Sequence, residues 1–338
     1  MPKNSDAEIK TPEQLIDEAI KRMNSRFGAR TVIHMSDKPI DCDVISTGSL
    51  ALDLAIGVGG IPKKRITVIE GLPGAGKTTL MQHLIAQAQM AGDAVAYIDM
   101  EHKLDPRYAA ACGVDMETCI FSQPPHGVAA LEIAKSMIPH VGLIVVDSVY
   151  KLVTPAETEA DVGDQHFAKL ARLMSQELKS IQPLLGMSNC ALVFVNQIRT
   201  GIGSSGRTYH THPGGFALQF DSSVMIKMRR TGELPKNLEH PQGSGIIANA
   251  YIGKNNVAAP FKEVELSIIH SKGIDMAADL LEAAFSAGVI TGGGGWYKFN
   301  DESINATSGK LPAVEVLRTN KELATAIREA ALETIGRK

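Results

Sequence analysis

Residues 65–90 read RITVIEGLPGAGKTTLMQHLIAQAQM: an apolar run, a glycine-rich turn and a helix-forming stretch in immediate succession. The turn, Gly71-Leu72-Pro73-Gly74-Ala75-Gly76-Lys77-Thr78-Thr79, fits the pattern G-x-x-x-x-G-K-[ST] and stands between a strand and a helix, where that pattern has a mechanism. Backbone N–H groups of such a turn cradle phosphate oxygens at the positive end of the following helix. Lys77 is placed to reach β- and γ-phosphates, and the Thr78 hydroxyl to coordinate Mg²⁺. A strand–turn–helix unit of this kind needs a covered sheet to sit on, which already favours an α/β fold.

The flanking sequence supplies that sheet. "AVAYIDME", "CIFSQ", "LIVVDS" and "ALVFVNQ" are near-continuous apolar runs, separated by the helical patterns "GVAALEIAKSMI" and "QHFAKLARLMSQELKSIQ". Strands apolar on both faces argue for a mostly parallel sheet with helices above and below. After residue 222, "SVMIKMRRT", "GIIANAYIGKN" and "FKEVELSIIH" follow in close succession and predict antiparallel strands that extend the sheet. "DMAADLLEAAFSAGVI" opens a smaller unit holding Trp296, with "GGGG" at 292–295 as a turn. At the other end, Thr11, Pro12 and Gln14 make a capping box for a helix stopped by Gly28. Its stripe of Leu15, Ala19, Met23 and Phe27 packs either on its own core or on a neighbouring subunit.

Three strand ends carry a polar group. Asp147 closes "LIVVD", where a carboxylate helps hold a metal at a nucleotide site. Glu101 closes "AVAYIDME" and is placed to orient or deprotonate an attacking water. Gln197 closes "ALVFVNQ", and its amide is suited to touch a γ-phosphate and release it after hydrolysis. Beyond Gln197 runs a polar, glycine-laced segment to Gly214-Gly215 that carries Arg199 and Arg207 and reads as a long functional loop. A cap or a solvated strand-end acid is the plainer reading of each polar group, and the phosphate turn is what weighs against it.

The chain has a net charge of −3, so a polyanion must be met by a local basic surface such as this loop. Cys42, Cys112, Cys119 and Cys190 show no CxxC pair, which fits reduced thiols, and "MPKNSDAEIK" shows no secretory signal. No apolar run is long enough to span a bilayer. A cytoplasmic protein with no membrane contact is expected.

Taken together, "ISTGSLALDLAIGVGGIPKKRITVIEG", "YIDMEHKLDPRYA", "IVVDSV", "GDQHFAKLARLMSQ", "VNQIR", "GGFALQF" and "KNNVAAPFK" resemble the bacterial RecA recombinases, from about residue 14 to about residue 300. The resemblance implies a RecA-like P-loop NTPase core (41–272) between an N-terminal docking helix and strand (1–40) and a small C-terminal α/β domain (273–338). It implies a DNA-dependent ATPase that polymerises on single-stranded DNA with ATP and Mg²⁺ and exchanges strands with a homologous duplex, in recombination, repair and the SOS response. Residue by residue, Gly71 to Thr79 is the phosphate loop, Glu101 the catalytic carboxylate, Asp147 the metal-side acid and Gln197 the γ-phosphate sensor. Asp105 and Tyr108 lie in the segment that contacts adenine, and Lys254 and Pro260 match positions offered to ATP by the adjacent subunit. Residues 157–167 and 198–213 match the two DNA loops; Phe167 and Ile202 match base-wedging side chains. Arg172, Lys179, Arg199, Arg207, Gly214 and Gly215 fall at or beside phosphate-contacting positions, and Phe220 at an interface position.

Departures accompany the likeness. Asn256 and Gln219 stand where the family carries lysines, Lys179 where it carries arginine, and Pro213 where it carries threonine. Asn256 removes one cation offered across the interface and Gln219 implies weaker coupling between subunits, Lys179 and Pro213 bear on DNA contacts, and the chain is expected to be a divergent or virus-encoded copy. A ring-forming helicase or motor ATPase built on the same core stays open as the alternative; a small-molecule kinase and a non-catalytic scaffold fit the strand-end set less well.

Overall fold

The computed structural model describes residues 10–28, 31–37, 42–152, 165–202, 208–211, 213–234 and 244–336; of segments 165–168, 199–202 and 208–211 it describes the backbone alone. Two compact units result, Met1–Cys42 and Asp43–Lys338.

In the first unit, α1 (Pro12–Phe27) begins with the expected capping box: Gln14 N–H donates to Thr11 Oγ1, and the Thr11 N–H donates to the Gln14 side chain. Gly28 ends it with a positive φ, its N–H bonded to the Asn24 carbonyl. No residue of α1 is buried, and Leu15, Ile16 and Phe27 are more than half exposed. Of the segment 1–40 expected to carry a docking strand, the described residues 31–37 form a bend and a short 3-10 turn, Met35–Asp37. The reason is local. The Asn24 side-chain amide takes both backbone groups of Val32, donating to its carbonyl at 2.9 Å and accepting its N–H at 2.8 Å, as a neighbouring strand would.

The second unit runs β1 (Val44–Ile45), α2 (Leu50–Ile56), β2 (Ile61–Pro62), β3 (Ile66–Gly71), α3 (Lys77–Met90), β4 (Val95–Asp99), α4 (Pro106–Ala111), β5 (Cys119–Ser122), α5 (Gly127–Met137), β6 (Leu143–Asp147), α6 (Gln165–Met187) and β7 (Ala191–Gln197). It continues with β8 (Arg199–Ile202), β9 (Thr208–Thr211), α7 (Gly215–Asp221), β10 (Val224–Glu233), β11 (Gly245–Asn255), β12 (Glu263–Ile269), β13 (Gly273–Ile274) and α8 (Met276–Ser286). Strands β14 (Thr291–Gly293), β15 (Trp296–Phe299) and β16 (Glu302–Ser303) and helices α9 (Lys310–Thr319) and α10 (Lys321–Glu333) complete it.

Nine strands form one sheet in the order β13-β12-β11-β10-β3-β7-β6-β4-β5. From β10 to β5 every neighbour is parallel; from β10 outward to β13 every neighbour is antiparallel, as the close spacing of the late strands predicted. Successive residues face opposite sides of a strand, and here both sides are dry. Val193 and Val195 of β7 join the cluster that includes Leu80, Leu84 and Ile85 of α3, while Leu192 and Phe194 join the one that includes Leu131 of α5 and Met174 of α6. Phe194 is among the largest fully buried side chains, so Phe194→Ala is a loss of about 3–5 kcal/mol.

A third apolar cluster ties α8, α9 and α10 to Leu50 of α2. Two buried carboxylates reinforce that joint. Asp53 of α2 accepts from Thr47 N–H (2.9 Å), Thr47 Oγ1 (2.7 Å) and Ser46 Oγ (2.8 Å), and pairs with Arg328 of α10. Asp279 of α8 accepts from Ser49 Oγ at 2.7 Å and from the Ala51 N–H at 3.2 Å, at the start of α2. The run of glycines at 292–295 is part strand and part turn, two of them lying in β14.

Candidate nucleotide-binding site

Parallel strands that share a register bring their C-terminal ends level. Gly71 of β3 stands opposite Gln197 of β7, and Asp147 of β6 stands opposite both Val195 of β7 and Asp99 of β4. The phosphate turn leaves β3 at this edge. Leu72, Pro73, Gly74 and Thr78 are exposed, whereas Lys77, Thr79 and Ala75 are buried. Gly76 caps α3 at φ 87°, a left-handed conformation that favours glycine, and a Cβ there would also push Ile268 Cδ1, 2.4 Å away, aside.

Lys77 Nζ donates to the carbonyls of Gly71 (3.0 Å) and Leu72 (2.9 Å). Burial pulls its pKa below the usual lysine value, and the carboxylates of Asp147 and Glu101 work against that fall. Asp147 responds in the opposite sense. Burial, together with the charges of Glu101 and Asp99, pushes its carboxyl up to about 7 despite Lys77. The Tyr97 hydroxyl of β4 donates to Asp147 Oδ2 at 3.4 Å.

Glu101 lies just beyond β4, oriented from below by Asp99. Asp99 Oδ1 accepts the N–H groups of both Glu101 and His102 at 2.9 Å. The Glu101 carboxylate accepts Ser148 Oγ at 2.6 Å, the Gln197 side-chain amide at the same oxygen, and an ion pair with exposed Lys103 at 3.6 Å. Gln197, Glu101 and the residue after Asp147 are thus joined by side chains at three separate strand ends. Four contributors escaped the sequence reading: Ser148, Asp99, Lys103 and Tyr97. Ser148 and Asp99 each lie one or two residues from a named site position, and a hydrogen-bonding side chain at that offset was the signal.

Asp105 and Tyr108, expected on the adenine side, stand together at the start of α4. Asp105 caps α4 by accepting from the Arg107 and Tyr108 N–H groups, and the Tyr108 hydroxyl meets Thr79 Oγ1 at 2.8 Å. Lys254 lies apart from the strand-end cluster. Its ammonium donates to the carbonyls of Gln219 (2.7 Å) and Phe220 (2.8 Å) at the end of α7, and partial burial lowers its pKa. Pro260 is half-buried in the connection from β11 to β12.

The segment beyond Gln197 differs from the irregular loop expected. β8 and β9 pair antiparallel, Arg199 opposite Thr211 and Ile202 opposite Thr208. Threonine, tyrosine and isoleucine in the two arms favour strand, and the intervening "GSSG" is turn-forming. Arg207 falls outside the described residues, as do the side chains of Phe167, Arg199 and Ile202. So does 157–164 of the first loop, while Gln165 to Phe167 already belong to α6. Arg172 and Lys179 are exposed on α6, two helical turns apart and hence near one face. Asn196 Nδ2 donates to the Pro213 carbonyl at 3.0 Å and ties the far end of the segment back to β7.

A family model described as the RecA N-terminal domain matches residues 14–275. This chain belongs to the RecA family. Protein RecA of Thermus aquaticus is 42% identical over 321 residues, covering 94% of this chain and 93% of that protein. Protein RecA of Aquifex aeolicus is 41% identical over 327 residues (96% and 93%), and that of Paracoccus denitrificans 38% over 321 residues (94% and 89%). The chain is a RecA-type recombinase and a DNA-dependent ATPase, with a role in recombination and repair. The site described above is accordingly the place to look for its ATP. No helix among the described residues is long and apolar enough to cross a membrane.

Proposed function

We propose that this RecA-family chain assembles as a helical filament on single-stranded DNA, pairs it with a homologous duplex, and hydrolyses ATP held with Mg²⁺ between adjacent subunits. The observation that supports it most is the Gln197–Glu101–Ser148 junction, which couples the hydrolytic carboxylate to the residue that precedes the β8–β9 hairpin.

Lys77 leaves the Gly71 and Leu72 carbonyls for the phosphates, and the backbone of 71–79 encloses them. Crowding of Asp99, Glu101 and Asp147 at one edge, with Thr78 exposed beside them, suits a hard cation and oxygen ligands. Mg²⁺ at nucleotide sites is held by one or two protein oxygens plus substrate phosphates. Thr78 and Asp147 would hold it, and its charge would offset that of the phosphates. Glu101 orients the attacking water and takes its proton. Gln197 exchanges Glu101 for the γ-phosphate and so reports occupancy to residues 198–213.

In this reading 1–40 docks on the adjacent subunit, 41–272 is the motor, and 273–338 is an accessory domain. Lys254 and Pro260 are offered to ATP from the neighbour, with Lys254 first giving up its bonds to α7. Arg172, Lys179, Arg199 and Arg207 meet phosphates with Gly214 and Gly215, while Phe167 and Ile202 wedge between bases. The test is a strand-exchange assay with ATP and Mg²⁺ beside a Lys77→Ala control. Exchange by the wild type alone supports the proposal; closed rings that unwind duplexes without pairing them would overturn it.

A further inference from the structure

We propose that Tyr150 and Lys151 form an additional single-stranded DNA contact, the ammonium binding the sugar–phosphate chain and the ring giving a base a stacking surface. The proposal rests on the reading of the neighbouring segments as DNA-binding.

The two residues lie on the 3-10 turn Val149–Lys151, which follows Asp147 and Ser148 and leads towards the first proposed DNA segment. The turn is pinned on both sides. Val149 and Leu152 are fully buried, and the Lys151 and Leu152 N–H groups donate to the Ser148 and Val149 carbonyls, each at 3.0 Å. On one flank, a Cβ placed on Gly214 would stand 3.1 Å from Val149 Cγ1, so the exit of the second DNA segment lies directly over this turn. On the other, a Cβ on Gly127 would come within 2.6 Å of the Leu152 carbonyl carbon, which fixes the turn against α5. Backbone and apolar side chains are therefore immobilised, and Tyr150 and Lys151 are left on the outside, half-buried and exposed respectively.

A basic residue stands on the helix that the neighbouring glycine pair packs against. Gly215 packs on Ala171, where an added Cβ would approach to 2.8 Å, and Ala171 precedes the exposed Arg172. The turn thus sits beside Gly214, whose neighbour Gly215 packs on α6 one residue before Arg172. Lys151 makes no ion pair with a carboxylate among the described residues; its ammonium lies 5.9 Å from the centroid of the Tyr150 ring. A lysine held over an aromatic face is a loose arrangement in water. Moving to a phosphate lets it keep its charge partnered and uncovers the ring for a base. Phosphate contact and base stacking carry no sequence information, which suits a protein that leaves recognition to base pairing.

The experiment measures binding of a thymidine oligonucleotide by fluorescence anisotropy over a salt series, with Mg²⁺ and a non-hydrolysable ATP analogue. Wild type, Lys151→Gln, Lys151→Arg, Tyr150→Ala and Tyr150→Phe are compared. Each phosphate contact to a single strand contributes about 0.7 to the slope of log affinity against log salt. The expectation is a slope shallower by about that amount per protomer in Lys151→Gln, and restored in Lys151→Arg. Tyr150→Ala loses about fivefold or more at fixed salt, and Tyr150→Phe recovers it. A steep wild-type slope unchanged in Lys151→Gln overturns the assignment of Lys151, and Tyr150→Ala binding like wild type overturns that of the ring. Should Tyr150→Ala fail to fold, the ring is judged by Tyr150→Leu against Tyr150→Phe, and equal affinities overturn it. A wild type that binds with no salt dependence overturns the DNA reading of the whole surface, a separate failure from the other two.

Discussion

Replacing Gln197 with alanine tests whether one amide connects the two ligands. In the described structure this amide is bonded to the Glu101 carboxylate, which keeps Ser148 Oγ at 2.6 Å as a second donor. A hydrogen bond to a charged group contributes about 1.5–3 kcal/mol. Transfer of the amide to a phosphate exchanges one such bond for another, so the coupling free energy carried by this route cannot exceed that amount. ATP therefore raises DNA affinity through Gln197 by at most about 10- to 150-fold per protomer. In Gln197→Ala both bonds are gone, and oligonucleotide affinity with and without a non-hydrolysable analogue should agree within about twofold. Linkage requires the reciprocal result: DNA tightens nucleotide binding in the wild type by the same factor and in the variant by none. Anisotropy titrations of each ligand at saturating and zero levels of the other give all four affinities. A variant that retains a rise of about tenfold or more refutes the relay, since the coupling would then run elsewhere. Collapse of nucleotide affinity in the variant alone would make Gln197 a plain ligand-holder.

Three further outcomes follow from the same geometry. Glu101→Asp should bind nucleotide and DNA nearly as the wild type does while hydrolysing ATP about 10²–10⁴-fold more slowly in a steady-state assay, and equal turnover would remove Glu101 from the chemistry. Arg328→Met leaves Asp53 buried without its cation but with its Thr47 and Ser46 donors, so we expect a loss of about 2–3 kcal/mol in denaturant unfolding at neutral pH. Burial raises the Asp53 pKa against the pull of Arg328, and removing that cation takes away a downward pull; the loss shrinks as pH falls and the carboxyl takes up a proton, and adding Asp53→Asn recovers part of it. Asp279, pushed up to about 6 chiefly by burial, binds protons in the native state that the unfolded chain has released. Its contribution to stability is complete below about pH 4 and is lost as pH rises through 6, and Asp279→Asn should flatten that part of the pH–stability curve.

Much of this architecture was open to sequence reasoning for a simple reason. β4, β6 and β7 are apolar runs that end in polar residues, so Glu101, Asp147 and Gln197 announce both the strand and the edge that carries chemistry. Strand order is a different matter. Nothing local to "ITVIEG" says that its neighbours are β7 and β10; that choice is made by helices packing across the whole sheet. The pairing of β8 and β9 was hidden because glycine and serine between the two arms read as loop-forming, and pairing between Arg199 and Thr211 is non-local. Residues 31–35 show the converse: a β-prone sequence needs an edge, and here Asn24 takes both backbone groups of Val32. Asp99 and Ser148 read as ordinary strand termini, and only the fold shows that they hold Glu101 from two directions.

The level strand ends also bear on how such a chain can change over time. Because Gly71 is paired with Gln197, and Asp147 with Asp99 and Val195, the reactive groups are spaced by the sheet itself, about 4.8 Å for each step between strands. One residue inserted within β4, β6 or β7 would advance its terminus by about 3.3 Å and turn the following side chain to the opposite face. Point replacements along these strands are graded losses of packing, whereas a single-codon insertion is an all-or-none loss of alignment. A library scanning both kinds of change should find the inner strands permissive to the first and closed to the second.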